Sequence, residues 1–225
     1  MGVQVKICGL NSREAADAAL AARADFGGLV FFAKSPRNVT LEQARALAGN
    51  LRGKTRIVAL LVNPDDAAVD EVVAAIAPDL IQLHGTESPA RVGAIGLRSR
   101  RPIIKALAVA EAADLIAARA YEDAADYFLF DAKAGEGATR PGGLGAAFDW
   151  QLLSGSRFKR SFGVAGGLSP ENVARCVAIS GAAFVDASSG VEDAPGKKSA
   201  EKIASFVTAA RNAQYADKDA KAGAA

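Results

Sequence analysis

The sequence predicts an α/β fold, a single-domain (β/α)8 TIM barrel, on three observations. Short β-like runs alternate with alanine-rich helical runs from one end of the chain to the other. Eight such strands can be counted, each read as followed by a helix, and eight parallel strands close a barrel. The length, 225 residues of which half are apolar, suits one barrel with a full core.

The elements justify this reading in turn. In "VQVKIC" (3–8), Val3, Val5 and Ile7 alternate with Gln4, Lys6 and Cys8, and Gly9 ends the run. Lys6 and Cys8 therefore share one face, and Cys8 is either a small core residue or chemistry at a strand end. The helical run "SREAADAALAAR" leads to the strand "GGLVFF"; "LEQARALAG" then leads to "RIVALLV", with Thr40 and Gln43 spaced as a capping box. "DDAAVDEVVAAI" leads to "DLIQLH", which ends on His84, and "SPARVGAIGL" to "PIIKALAV". "EAADLIAARAY" precedes "YFLFD", which ends on Asp131. The connection after it, "AKAGEGATRPGGLGAA" (132–147), holds five glycines, and long glycine-rich connections in compact domains are commonly functional. "SFGVA" is followed by a helix expected to start at Ser169 with Pro170 in its first position, and "AFVDAS" by the last helical run, "KKSAEKIASFVTAARNA". The barrel is expected over 1–213. Residues 214–225 lack core-forming periodicity and are expected to fray.

Composition excludes several classes. A formal charge of +2 provides no basic field for nucleic acid. No run approaches the ~20 apolar residues of a membrane span. Two distant cysteines point to a reducing compartment, and with a single histidine they leave no metal site to expect. The chain enters a strand at once, without the apolar stretch of a signal peptide, so a cytoplasmic protein is expected.

In this fold chemistry gathers at the C-terminal ends of the strands. The glycines Gly166 and Gly167 follow strand seven, and Ser188, Ser189 and Gly190 follow strand eight. Together they offer backbone N–H groups and hydroxyls where barrels often bind phosphate. Asp131 ends an apolar strand with no immediate helix after it, so it can carry a proton at the mouth. Arg37 alone reads as a surface charge, and His84 as either a hydrogen-bonded strand end or a functional group. Strand eight closes onto strand one, and Asp186 shares the inward parity of Phe184 and Ser188. A Lys6–Asp186 ion pair inside the barrel is therefore predicted.

The motifs "KICGL", "FFAKSPR", "IQLHG", "LFDAK…GGLGAAFDW", "VAGGLSPENV" and "VDASSGVEDAPGKKS" together resemble phosphoribosylanthranilate isomerase, from Val3 to about residue 211. The resemblance implies a cofactor-free (β/α)8 barrel that catalyses an Amadori rearrangement in tryptophan biosynthesis. It implies Cys8 as general base, Asp131 as general acid and Arg37 facing the anthranilate carboxylate. It also implies a phosphate grip at Gly166, Gly167, Ser188, Ser189 and Gly190. The expected partner is a phosphorylated small molecule, bound by a monomer or homodimer. Ala33, Leu144 and Ala187 depart from the expected proline, threonine and valine, and Leu144 removes a hydroxyl from the long loop. Rival readings are a histidine-pathway isomerase, which would need two carboxylates and two phosphate sites, and a catalytically dead phosphate-binding barrel. A third, an indole-glycerol-phosphate synthase, would use Lys105 as its acid, without a good glutamate partner.

Overall fold

The computed structural model of the chain describes residues 2–133 and 148–213. Eight parallel strands pair in chain order and close into a barrel. They are β1 (Gln4–Cys8), β2 (Phe26–Phe31), β3 (Arg56–Leu61), β4 (Leu80–Leu83), β5 (Ile103–Val109), β6 (Tyr127–Ala132), β7 (Ser161–Val164) and β8 (Phe184–Ala187). Closure through β1 and β8 sets Lys6 beside Asp186, and the β1–β2 pairing sets Cys8 beside Gly28. The helices are α1 (Arg13–Ala21), α2 (Leu41–Leu51), α3 (Asp66–Ile76), α4 (Pro89–Ser99), α5 (Ala112–Ala118), α6 (Val173–Ser180) and α7 (Ala200–Arg211). After β8 the chain makes a short hairpin, β9 (Glu192–Ala194) with β10 (Lys197–Lys198).

Local chemistry accounts for the helix starts. Ser12, Thr40, Asp65 and Ser88 each accept a backbone N–H of the first turn, and Thr40 with Gln43 completes the capping box. One expectation about helices needs correction, and another falls largely outside the described residues. Among the described residues the β6–β7 crossover holds only a single 3-10 turn, Trp150–Leu153, because Asp149 caps it and Gly155 (φ +74°) ends it. Phe128, Phe130, Phe158 and Phe162 form a ring cluster there, with centroids 5.2–5.9 Å apart. The helix α6 begins at Val173, not at Ser169. The Asn172 amide takes the Ser169 N–H and donates to the Gly167 carbonyl, which makes residues 169–172 a turn leading into the helix. The tail 214–225 and most of the glycine-rich connection, Leu144 included, lie outside the described residues.

Both faces of each strand are buried, so the strands read as nearly continuous apolar runs. Phe26, Val58, Leu80, Ile104, Leu129 and Phe184 fill the barrel interior. Ile7, Leu29, Ile57, Ile81 and Val185, of the opposite parity, pack beneath the helices. At the lower end the Arg56 guanidinium covers the Phe26 ring at 3.8 Å. Cys8, Gln82, Asp131 and Asp186, by contrast, face inward toward the upper, C-terminal end.

Candidate active site

One cavity opens at the C-terminal end of the barrel, with about 690 Å³ of empty space including its open mouth. Seven of the eight residues singled out from the sequence line it: Cys8, Arg37, Asp131, Gly166, Gly167, Ser188 and Ser189. Gly190 is not part of the lining. A Cβ there would run into the Leu168 carbonyl oxygen, so Gly190 is the joint that lets the loops after β7 and β8 touch.

The floor of the cavity is a buried charge cluster. Lys6 is fully buried, and its ammonium lies 3.0 Å from both carboxylate oxygens of Asp186, the pair expected from strand parity. Burial alone would lower the Lys6 pKa; Asp186 and then Cys8 outweigh it and raise it, so this lysine stays charged. Cys8, on the same face, is 5 % exposed. Burial pushes its thiol above the ordinary value, against the pull of Lys6 and, more weakly, Lys198. Gly28 makes room for this contact: a Cβ there would stand 3.2 Å from the Cys8 sulfur and 3.3 Å from the Lys6 nitrogen.

Across the barrel, Asp131 ends β6. Its Oδ2 lies 3.2 Å from His84 Nε2, and its Oδ1 is buried without a partner among the described residues. The Gly166 backbone (φ +84°) passes beside that oxygen, where a Cβ would sit 2.7 Å away. The N–H groups of Gly166 and Gly167 donate to no partner among the described residues. Among the described residues they are unpaired donors at the mouth, the kind of group an anion grip uses.

Three arrangements went unread in the sequence. Arg37 is a buried group rather than a surface charge: its Nε and Nη2 each donate at 2.7 Å to the carboxylate of Glu192, on β9. Lys198, on β10, stands behind the expected phosphate grip, donating to the Ser188 carbonyl at 3.0 Å, the Ser188 hydroxyl at 3.3 Å and Glu192 at 2.7 Å. Burial lowers its pKa in spite of Glu192. A lysine thus stands beside the neutral donors expected there. Burial alone would raise Glu192, but Arg37 and Lys198 hold its carboxyl below the ordinary value. The third arrangement is Gln82, fully buried, with its amide nitrogen 3.1 Å from His84 Nδ1. The alternation in "IQLH" carried that signal, since Gln82 and His84 share an inward parity.

Lys105 is not part of the site. Its neighbours Ile104 and Ala106 face the barrel interior, so Lys105 points outward, 1 % exposed, and its ammonium sits 2.7 Å from Glu87. Burial lowers its pKa despite that partner. No group of three or more metal-ligating side chains occurs among the described residues.

This barrel matches known proteins along nearly its whole length. The family model described as N-(5'phosphoribosyl)anthranilate (PRA) isomerase matches residues 5–209. The chain belongs to this family. An N-(5'-phosphoribosyl)anthranilate isomerase of Paramagnetospirillum magneticum is 51% identical over 211 residues, covering 94% of this chain and 98% of that protein. The crystal structure of the Thermotoga maritima phosphoribosyl anthranilate isomerase superposes with a TM-score of 0.84 at 34% identity, covering 92% of this chain and 98% of that one. A further phosphoribosyl anthranilate isomerase, solved in complex with reduced 1-(o-carboxyphenylamino)-1-deoxyribulose 5-phosphate, superposes with a TM-score of 0.81 at 32% identity, covering 92% and 98%. The chain is thus an isomerase of the tryptophan-biosynthesis family with a TIM-barrel fold. Among the described residues no helix is long and apolar enough to cross a membrane.

Proposed function

We propose that the chain converts N-(5-phosphoribosyl)anthranilate to 1-(2-carboxyphenylamino)-1-deoxyribulose 5-phosphate, with Cys8 as general base and Asp131 as general acid. The observation that carries this reading is that Cys8 on β1 and Asp131 on β6 face one cavity, beside the N–H groups of Gly166 and Gly167, which donate to no partner among the described residues. Asp131 gives a proton to the ribose ring oxygen as the C1–O bond breaks, and an iminium forms at C1. The Cys8 thiolate takes the C2 proton, whose electron pair becomes the C1–C2 double bond of an enolamine. Tautomerisation delivers the ketone. One proton has then moved from Asp131 to Cys8, and it returns through solvent. The Lys6 ammonium is the counter-charge for the thiolate, because burial alone favours the neutral thiol.

Gly166, Gly167, Ser188 and Ser189, backed by Lys198, hold the phosphate, and Gly190 keeps their two loops in contact. Arg37 reads the anthranilate carboxylate; Glu192 occupies Nε and Nη2, which leaves Nη1 for the ligand. The enzyme works in the cytoplasm as a monomer or homodimer on this phosphorylated small molecule, with residues 1–213 as its barrel domain.

Turnover of freshly generated substrate, followed by loss of anthranilate-type fluorescence, tests the activity. Cys8→Ala and Asp131→Asn should each lower kcat at least about 100-fold, the low end for a proton-transfer group, with KM within a few-fold. Near wild-type turnover by either variant would refute that residue's role. Arg37→Ala should weaken a carboxylate-bearing product analogue by ~1.5–3 kcal/mol and leave bare ribulose 5-phosphate almost unaffected. Equal losses for the two ligands would assign Arg37 to the phosphate or to the fold.

A further inference from the structure

The general-acid reading leaves open which oxygen of Asp131 carries the proton, and two residues on β4 and its end bear on that. Gln82 and His84 point into the barrel one above the other, two residues apart on the same face. They form a chain with Asp131: Gln82 Nε2 lies 3.1 Å from His84 Nδ1, and His84 Nε2 lies 3.2 Å from Asp131 Oδ2. A neutral imidazole has one N–H and one lone pair, so the contact at one nitrogen decides the other. An amide N–H donating to Nδ1 requires the ring proton on Nε2. Nε2–H then donates to Asp131 Oδ2.

The two carboxyl oxygens are therefore unequal. Oδ2 is engaged as an acceptor. Oδ1 has no partner among the described residues and lies beside the Gly166 backbone on the cavity wall. We propose that Gln82 and His84 are positioning residues that dedicate Oδ1 of Asp131 to proton delivery, with Gln82 fixing the Nε2–H tautomer of His84. This rests on Asp131 being the general acid. As the Oδ1 proton leaves, negative charge develops on the carboxylate, and the His84 N–H already aimed at Oδ2 stabilises it without reorganisation. Gln82, fully buried, holds the ring so that this donor cannot turn away.

The rival arrangement has the Gln82 amide turned round. Its Oε1, which is buried without a partner among the described residues, would then accept from Nδ1–H. Nε2 would become a lone pair, and the Asp131 proton would sit on Oδ2, against the histidine and away from substrate. The two arrangements place the ring proton on different nitrogens.

His84 is the only histidine in the chain, so a 15N-histidine-labelled, tag-free protein gives one imidazole. Its two nitrogen shifts report the tautomer directly, without substrate. The wild-type ring, at a pH where it is neutral, should carry its proton on Nε2. Gln82→Glu presents a carboxylate to Nδ1 and should draw the proton there. Its kcat should fall roughly 10- to 100-fold, a typical cost for a residue acting through another, with KM within about threefold. Gln82→Met, apolar and of similar length, serves if Gln82→Glu does not fold; it should give mixed tautomers and a kcat loss of the same order. His84→Gln returns an amide donor near the Nε2 position and should retain about tenfold more kcat than His84→Ala. A wild-type ring protonated on Nδ1 would overturn the proposal. So would a Gln82 variant that moves the ring proton while leaving kcat unchanged, or equal kcat for the two His84 variants. Failure of the acid reading registers differently: Asp131→Asn would turn over normally while the Nε2–H tautomer stands.

Discussion

The two ends of the barrel are built from the same strands and treat their polar groups in opposite ways. At the N-terminal end, Asp25, Asp79 and Asp126 each precede an even-numbered strand, and each accepts a backbone N–H from the strand before it. The contacts are to Val5 at 2.8 Å, Ile57 at 2.7 Å and Ile103 at 2.8 Å. The same three residues donate their own N–H to the carbonyls of Val5, Ile57 and Ile103, so each clamp is reciprocal. At the C-terminal end, among the described residues, the N–H groups of Gly166 and Gly167 and buried oxygens of Asp131 and Gln82 have no partners, and a lysine is buried under a thiol. An unsatisfied buried polar group costs stability. The lower end uses these three carboxylates to hold strands together, whereas the upper end holds these particular donors and acceptors without partners among the described residues.

The comparison can be tested at both ends. The largest effect is expected at Lys6. Lys6→Met leaves the Asp186 carboxylate buried and unpaired, so urea unfolding should show a loss of about 3–5 kcal/mol. If the loss is below about 1 kcal/mol, the charge cluster is wetter than its burial implies. Asp79→Ala should cost about 1–3 kcal/mol by stranding the Ile57 N–H, yet leave kcat and KM unchanged, because the residue belongs to the opposite end from the chemistry. A fall in kcat at full stability would break the division between the ends.

Thiol chemistry gives a smaller contrast. Cys8 lines the cavity, and its folded pKa is raised above the ordinary 9.0, so its reaction with iodoacetamide should be slow at neutral pH and accelerate above pH 9. Cys176 is fully buried on α6 and pushed up to about 12, so it should lag at least about tenfold at pH 9–10. Lys6 lowers the Cys8 value, so Lys6→Met should slow Cys8 further at any given pH. Mass spectrometry of the alkylated peptides reads both sites. The smallest effect sharpens the lower end. Ala183 precedes β8 and donates its N–H to the Phe162 carbonyl, as the three clamp residues do to their partners, but has no carboxylate. Ala183→Asp should add up to about 1 kcal/mol, measured by urea unfolding.

Much of this was legible along the chain. Strand parity put Lys6, Cys8, Asp186 and Ser188 on the inner face, and barrel closure then required the Lys6–Asp186 contact seen at 3.0 Å. Parity is a local property of the pleat, with period two, so eight residues suffice to read it. The same reasoning applied to "IQLH" would have set Gln82 with His84. It could not have joined them to Asp131, which lies on β6, a different strand.

Composition and alternation by themselves determined the fold class, the inward residues and the end of the barrel where chemistry belongs, because each follows from hydrophobic period and strand direction. The partners were decided only in three dimensions. Arg37 meets Glu192 across 155 positions of sequence, and nothing near either residue announces the other. The hairpin that carries Glu192 and Lys198 acts only once it folds back over the mouth. The cluster of four phenylalanine rings over strands β6 and β7 was likewise decided by packing. Charge pairing and side-chain packing are set by distance in space, which a linear sequence encodes only through the whole fold.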